Sequence, residues 1–415
     1  MSARHRHTTA RARGILTALA VLSAAACNDQ ALQPYVPEAG ELFARYVAMG
    51  NSITAGFESG GINDSTQQHS YAVLLAEAFG LEIGETFSYP SLAMPGCPPP
   101  LTNVFTQTRV APGLCFTRSA DVPPFLNNVA VPGAAVLDLI SNLAPESSPN
   151  ALTTFFLGGR TQVQAAREID PTFVTIWIGN NDILGALFAA DAGGAASILS
   201  TTEFADRYSA MMDSVDALGT VRGGVLIGVV QVLFAPYATS GPAWAAAAES
   251  MPSLTVADNC LDMVAIPGSA YTAVPLVPFH VGAPLFAAAA EGTPTTVDCS
   301  GPEAITADEA ANMFTTVAAY NVAIAEEAEA RGWVFWDPNE LLSQVLDDPA
   351  QIRPFPAFDP ADPQHESAPF GTALSLDGIH PSAAAHALIA QALGDAIDDH
   401  YGANISLMLA ANRDR

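Results

Sequence analysis

The stretch YVAMGNSITAGFESGG, residues 46–61, begins with a short apolar run, turns at a glycine and then takes up a helix-like pattern. A continuous apolar run bounded by a turn suits a strand buried on both faces, as in a parallel sheet covered by helices. Ser52 stands where that strand ends. Two roles compete for it: a helix N-cap, or an exposed hydroxyl whose own N–H belongs to a helix start that favours negative charge. The stretch alone leaves both open.

Outward from it, similar runs recur: NNVAV (127–131), FVTIWIG (173–179), GVLIGVVQV (224–232) and WVFWDP (333–338), besides RYVAM (45–49) itself. Helical patterns lie between them. The longest, TADEAANMFTTVAAYNVAIAEEAEARG, has Thr306 and Glu309 spaced as a capping box and Gly332 as its stop. Alternating strands and helices predict a three-layer α/β/α sandwich with a central parallel sheet. The domain is expected over 45–403, with a tail at 404–415. Excursions from the sheet edge are expected at about 88–126 and 238–303, the first rich in Pro, Gly and Ser.

The chain has 415 residues, half of them hydrophobic, enough for a large core. It opens with Arg4, Arg6, Arg11 and Arg13, then an apolar stretch from Gly14 to Ala26 that is too short to span a bilayer. Residues 1–26 therefore read as an export signal. AAA before Cys27 suits an ordinary signal peptidase, whereas LSAAAC resembles a bacterial lipobox, although Ala24 stands where leucine is usual. Cysteine arithmetic favours lipidation of Cys27. Of five cysteines, Cys97, Cys115, Cys260 and Cys299 can form two bridges in an oxidising compartment, which leaves Cys27 over. Three pairings are possible and the sequential one is the simplest. Residues 27–44 would then be a lipidated tether and the protein an envelope lipoprotein; the alternative is a periplasmic or secreted soluble protein. Acidic residues number 42 against 15 basic, a net charge of −27. That charge argues against a nucleic-acid partner and against attraction to anionic lipid, so membrane attachment would have to come from the lipid. The chain contains no lysine, which excludes a Walker A loop, a Ser-Lys dyad and a Schiff-base mechanism.

In an open parallel sheet ligands collect at the carboxyl ends of the strands. Four groups stand there: Gly50-Asn51-Ser52; Pro132-Gly133-Ala134; Gly179-Asn180-Asn181-Asp182; and, near the C-terminus, SLDGIHPS with Asp377 and His380 three apart. Singly, each has an ordinary reading as a turn, cap or structural histidine. Together and in this order they resemble the SGNH (GDSL-type) hydrolase family, over roughly residues 45–400. The resemblance implies a flavodoxin-like sheet, no cofactor, Ser52 as nucleophile, His380 as base, Asp377 as its orienting acid, and an oxyanion hole from Ser52, Gly133 and Asn181. One departure is Asn51, where the family usually has aspartate.

The implied activity is hydrolysis of a small-molecule or lipid ester; the alternatives are an acyltransferase on the same residues, or a binding lipoprotein without catalysis. A G-x-S-x-G elbow is absent because Thr54 fills its last position. No metal is expected: there is no H-E-x-x-H, His386 reads as structural, and the acidic segment 345–370 lacks EF-hand spacing. The insertion at 238–303, with Leu276, Val277, Pro278, Phe279 and Leu285, reads either as a lid or wall for an acyl chain or, equally, as a disulfide-pinned decoration packed on the sheet edge.

Overall fold

Four parallel strands form the central sheet of the computed structural model, which describes residues 39–111, 117–119, 125–353 and 368–413. They are β1 (Tyr46–Gly50), β2 (Phe173–Trp177), β3 (Gly223–Ile227) and β4 (Val334–Trp336), adjacent in that order. Their register is level: Gly50 pairs with Trp177, Trp177 with Ile227, and Ile227 with Trp336. Every strand thus delivers its following loop to one edge, where a site can be assembled from distant parts of the chain.

Side chains alternate between two cores, as the two-residue period of a strand requires. Val47, Met49, Val174, Ile176 and Leu226 face one core, Tyr46, Ala48, Phe173, Trp177, Val225 and Ile227 the other. The helices that position these cores and the site are α1 (Ser52–Ala55), α2 (Tyr71–Ala78), α3 (Thr201–Asp216), α4 (Ala307–Arg331), α5 (Pro338–Leu346), α6 (Ala383–Tyr401) and α7 (Ile405–Arg413). The first core is closed by α3 and α4, through Phe204, Tyr208, Met313 and Tyr320. The second is closed by α2, α6 and α7, through Tyr71, Leu75, Leu393 and Leu409. Thr306 and Glu309 do form the capping box of α4, and Gly332 ends it at φ 64°.

Residues 127–131 depart from expectation. They run beside β1, with Ala48 N donating to Asn127 O and Val129 N to Ala48 O, but only an isolated parallel bridge forms. The reason lies in the asparagines. Asn127 binds Ser88 N and Tyr46 O through its side chain, and Asn128 binds Thr54 O and Ala130 N. Such local bonds compete with a regular ladder. With this segment included, the spatial order of the five elements is 2-1-3-4-5, the flavodoxin-like arrangement, whose switch point lies between β1 and β2.

The ends of the domain also differ from the expected limits. Residues 405–413, expected as a tail, form α7 and bury Ile405 and Leu409. Upstream, Ala39–Phe43 is helical and Phe43 is buried against Phe79, so packed structure begins before residue 45. Compact packing begins at Gly40. Within the expected insertion, helices Gly241–Ser250 and Phe279–Ala290 enclose a small separate core around Trp244, tied by a Cys260–Cys299 disulfide. Cys97 is also disulfide-bonded. The leader, Cys27, Cys115 and the acidic residues 354–367 lie outside the described residues.

Candidate active site

The β1–α1 turn decides the role of Ser52. Asn51, not Ser52, is the N-cap: its Oδ1 accepts from Ile53 N at 3.0 Å. The Ser52 hydroxyl is therefore released from capping and meets His380 Nε2 at 2.9 Å. Gly50, at φ 154°, allows the chain to turn there; a Cβ would lie 2.5 Å from both Thr54 Oγ1 and Trp177 O. The helix that follows is a single turn, ended by Gly56 at φ 80°, so the field of a long helix plays no part. What remains is local: the Ser52 N–H has no acceptor among the described residues.

Asp377 and His380 lie before α6. The Asp377 Oδ2 meets His380 Nδ1 at 2.8 Å, which with the Ser52 contact makes one continuous chain of hydrogen bonds. Asp377 Oδ1 accepts from Ile379 N at 2.9 Å and His380 N at 2.8 Å, and Oδ2 also accepts from Gly60 N at 2.6 Å. Burial pushes this carboxyl up, but the neighbouring His380 charge and the donated hydrogen bonds outweigh it and hold the pKa at about 2. Asp377 stays a carboxylate beside the ring. Pro381 precedes the N-cap of α6, which is Ser382, rather than opening the helix itself. His386, on α6, is fully buried, accepts from Tyr71 N at 3.3 Å, and is pushed by that burial down to about 3.

The glycine turn is held from four sides. Asn150 Nδ2 donates to Pro132 O at 2.7 Å and Asn181 Nδ2 to Ala134 O at 2.8 Å. Asp138 accepts from Ala135 N at 2.8 Å, and Asp182 from Val136 N at 3.1 Å. Ala134 N is bound to Val131 O. Of the N–H groups from 133 to 136, only that of Gly133 has no acceptor among the described residues. Gly133 has φ 84°, and Val131 N donates to Gly50 O, which ties this turn to the one that carries Ser52.

The structure thus brings Ser52, Gly133, Asn181, Asp377 and His380 to one sheet edge. It also adds residues that the sequence did not single out. Ser59 N donates to Ser375 Oγ, Leu376 N to Ser59 Oγ, and Gly60 N to Asp377, so the end of the opening stretch grips the loop that carries the acid. Gln162 is buried and binds both Gly50 N, at 2.8 Å, and Gly50 O, at 2.7 Å. The SGG run at 59–61 was a visible signal for the first group; nothing in the local sequence marked Gln162.

Residues 46–219 match the model of the GDSL-like Lipase/Acylhydrolase family. That match covers Ser52, Gly133 and Asn181 and marks an ester-hydrolysing enzyme. Among solved structures, the chain is similar to a catalytic mutant of an acetylxylan esterase from Geobacillus stearothermophilus, at 14% identity and TM-score 0.36, over 85% of this chain and 93% of that one. It is also similar to an extracellular lipase from Streptomyces rimosus, at 14% identity and TM-score 0.38, over 85% of this chain and 98% of that one. No curated protein matches the chain.

Proposed function

We propose that the protein is a serine hydrolase that cleaves carboxylic esters through Ser52, His380 and Asp377. The observation that carries this reading is the unbroken chain from Asp377 through His380 to Ser52, at 2.8 and 2.9 Å, beside two backbone N–H groups without an acceptor among the described residues. Ser52 Oγ attacks the ester carbonyl as its proton passes to His380 Nε2. The Nδ1 side of the ring is held by Asp377, which fixes the tautomer and stabilises the imidazolium that forms. Charge that develops on the carbonyl oxygen is met by the N–H groups of Ser52 and Gly133 and by the Asn181 amide. The imidazolium then gives its proton to the departing alcohol. Water repeats the sequence on the acyl-serine, with His380 again as the base.

The test compares p-nitrophenyl ester hydrolysis by the wild type, Ser52→Ala and His380→Ala, with labelling by a fluorophosphonate. Activity and labelling are expected in the wild type, no labelling in Ser52→Ala, and at least a thousandfold lower turnover in both variants. Equal labelling of Ser52→Ala would overturn the assignment of the nucleophile. The arginine-rich leader and Cys27 further support export and lipid attachment at Cys27; detergent-phase partitioning lost in Cys27→Ala tests that part.

A further inference from the structure

Beside Ser52 and His380 a cavity of about 130 Å³, partly open to solvent, runs back between α5 and α6. Its walls are apolar: Leu341, Leu342 and Val345 from α5, Leu388 and Ile389 from α6, and Trp336 from the end of β4. The wall from α5 is unusual for a helix at the edge of a core. Ser343 and Gln344 are exposed, as its solvent side should be, yet Leu341, Leu342 and Val345 on the other side are only half-buried. Across the gap Leu388 is 38% exposed. These are the positions at which a helix pair normally closes on itself, and here they face each other across open space.

Four buried polar atoms belong to lining residues and have no partner among the described residues: Asn51 Nδ2, Trp177 Nε1, Asn180 Oδ1 and Gln231 Oε1. All four residues sit at or just after the carboxyl ends of β1, β2 and β3, on the sheet-edge side of the cavity. The cavity is thus apolar along its walls, with Ser52 and His380 at the sheet-edge end. None of the insertion residues weighed as an acyl wall lines it. Val277 and Leu285 belong instead to the separate core of the insertion, and Leu276 to the main core.

We infer that the cavity between α5 and α6 holds the acyl chain of the substrate, and that the enzyme prefers esters of medium to long aliphatic acids over acetate. This rests on the serine-hydrolase reading above. A carbonyl on Ser52 has its acyl carbons at the mouth of the cavity, and each methylene that leaves water for such walls contributes about 0.8 kcal/mol, or roughly fourfold in kcat/KM. Over the six methylenes between acetate and octanoate the preference reaches up to about four-thousandfold.

The experiment measures kcat/KM for p-nitrophenyl acetate, butyrate, octanoate and palmitate with the wild type, Leu342→Trp, Leu388→Trp and Met263→Trp. Met263 is 72% exposed in the insertion, away from the cavity, and serves as the control. The octanoate-to-acetate ratio is expected to be above tenfold in the wild type and in Met263→Trp, and at least tenfold lower in Leu342→Trp or Leu388→Trp. Chain binding is read separately in Ser52→Ala, where methyl 9,10-dibromostearate is expected to quench tryptophan fluorescence through Trp177 and Trp336 and methyl acetate is not. An acetate-preferring enzyme that still labels with fluorophosphonate would overturn the acyl cavity and leave the serine hydrolase standing. Absence of both hydrolysis and labelling would overturn both.

Discussion

Asn181 and Asp182 are neighbours after β2, and their chemistry diverges. Asn181 uses one amide hydrogen on Ala134 O, and in the proposed mechanism its second meets the oxyanion. Asn181→Ala is expected to lower kcat about a hundredfold to a thousandfold with little change in KM, the usual cost of one such donor; near-normal turnover would remove Asn181 from the site. Asp182 does its work at Val136 N, beneath the glycine turn. Burial is the main force on this carboxyl, with Asp138 adding to it and Val136 N and Arg207 opposing, and the result is a pKa of about 7. The native state therefore keeps a proton that the unfolded chain releases near pH 4. Stability from this group is full below pH 4 and declines as pH rises to 7, by up to about 4 kcal/mol. Asp182→Asn retains an oxygen for Val136 and cannot ionise. Its urea midpoint is expected to exceed that of the wild type at pH 8 by more than at pH 5; parallel curves at the two values would contradict a protonated Asp182.

At the scale of elements, the site depends on how the ends of β1 and β2 are held. Gln162 opens the short helix Gln162–Ala166 and satisfies both backbone groups of Gly50 in a place closed to water. Gln162→Ala leaves the buried Gly50 N–H unpaired and Gly50 O with Val131 N alone, at a cost of about 1–3 kcal/mol. A lower urea midpoint together with a fall in kcat is expected, because Gly50 sets the position of Ser52; a change in neither would mean that water replaces the amide without loss. This contact spans 112 residues, which is why the sequence did not reveal it. Motifs whose partners are close in the chain were legible, as with Asp377 and His380, and so were fully buried strands with their unbroken apolar runs. The acyl cavity was not. The pattern PNELLSQVL reads as an ordinary amphipathic helix, and periodicity states which face is apolar without stating whether protein or empty space lies against it. The same limit left the insertion open as wall or packed decoration; its Val277 and Leu285 pack in a core of their own.

For the whole molecule, charge sets which esters reach this cavity easily. The net charge is −27, and described arginines near the surface are committed to partners: Arg160 to Glu168, Arg207 to Glu203, Arg331 to Asp216 and Glu327. Those pairs add little stability at an exposed surface, but they leave most carboxylates uncompensated. An anionic ester therefore approaches against a repulsive field, whereas a neutral one does not. Salt shortens the reach of that field from about 30 Å at 0.01 M to about 8 Å at 0.15 M. Raising ionic strength over this range is expected to increase kcat/KM several-fold for a p-nitrophenyl ester with a terminal carboxylate, and to leave the uncharged ester of the same length nearly unchanged. Apolar burial in the cavity strengthens only slightly with salt and would act on both esters alike, so the difference between the two isolates the electrostatic part. Equal responses would mean that the mouth of the site is screened from the charge on the rest of the protein.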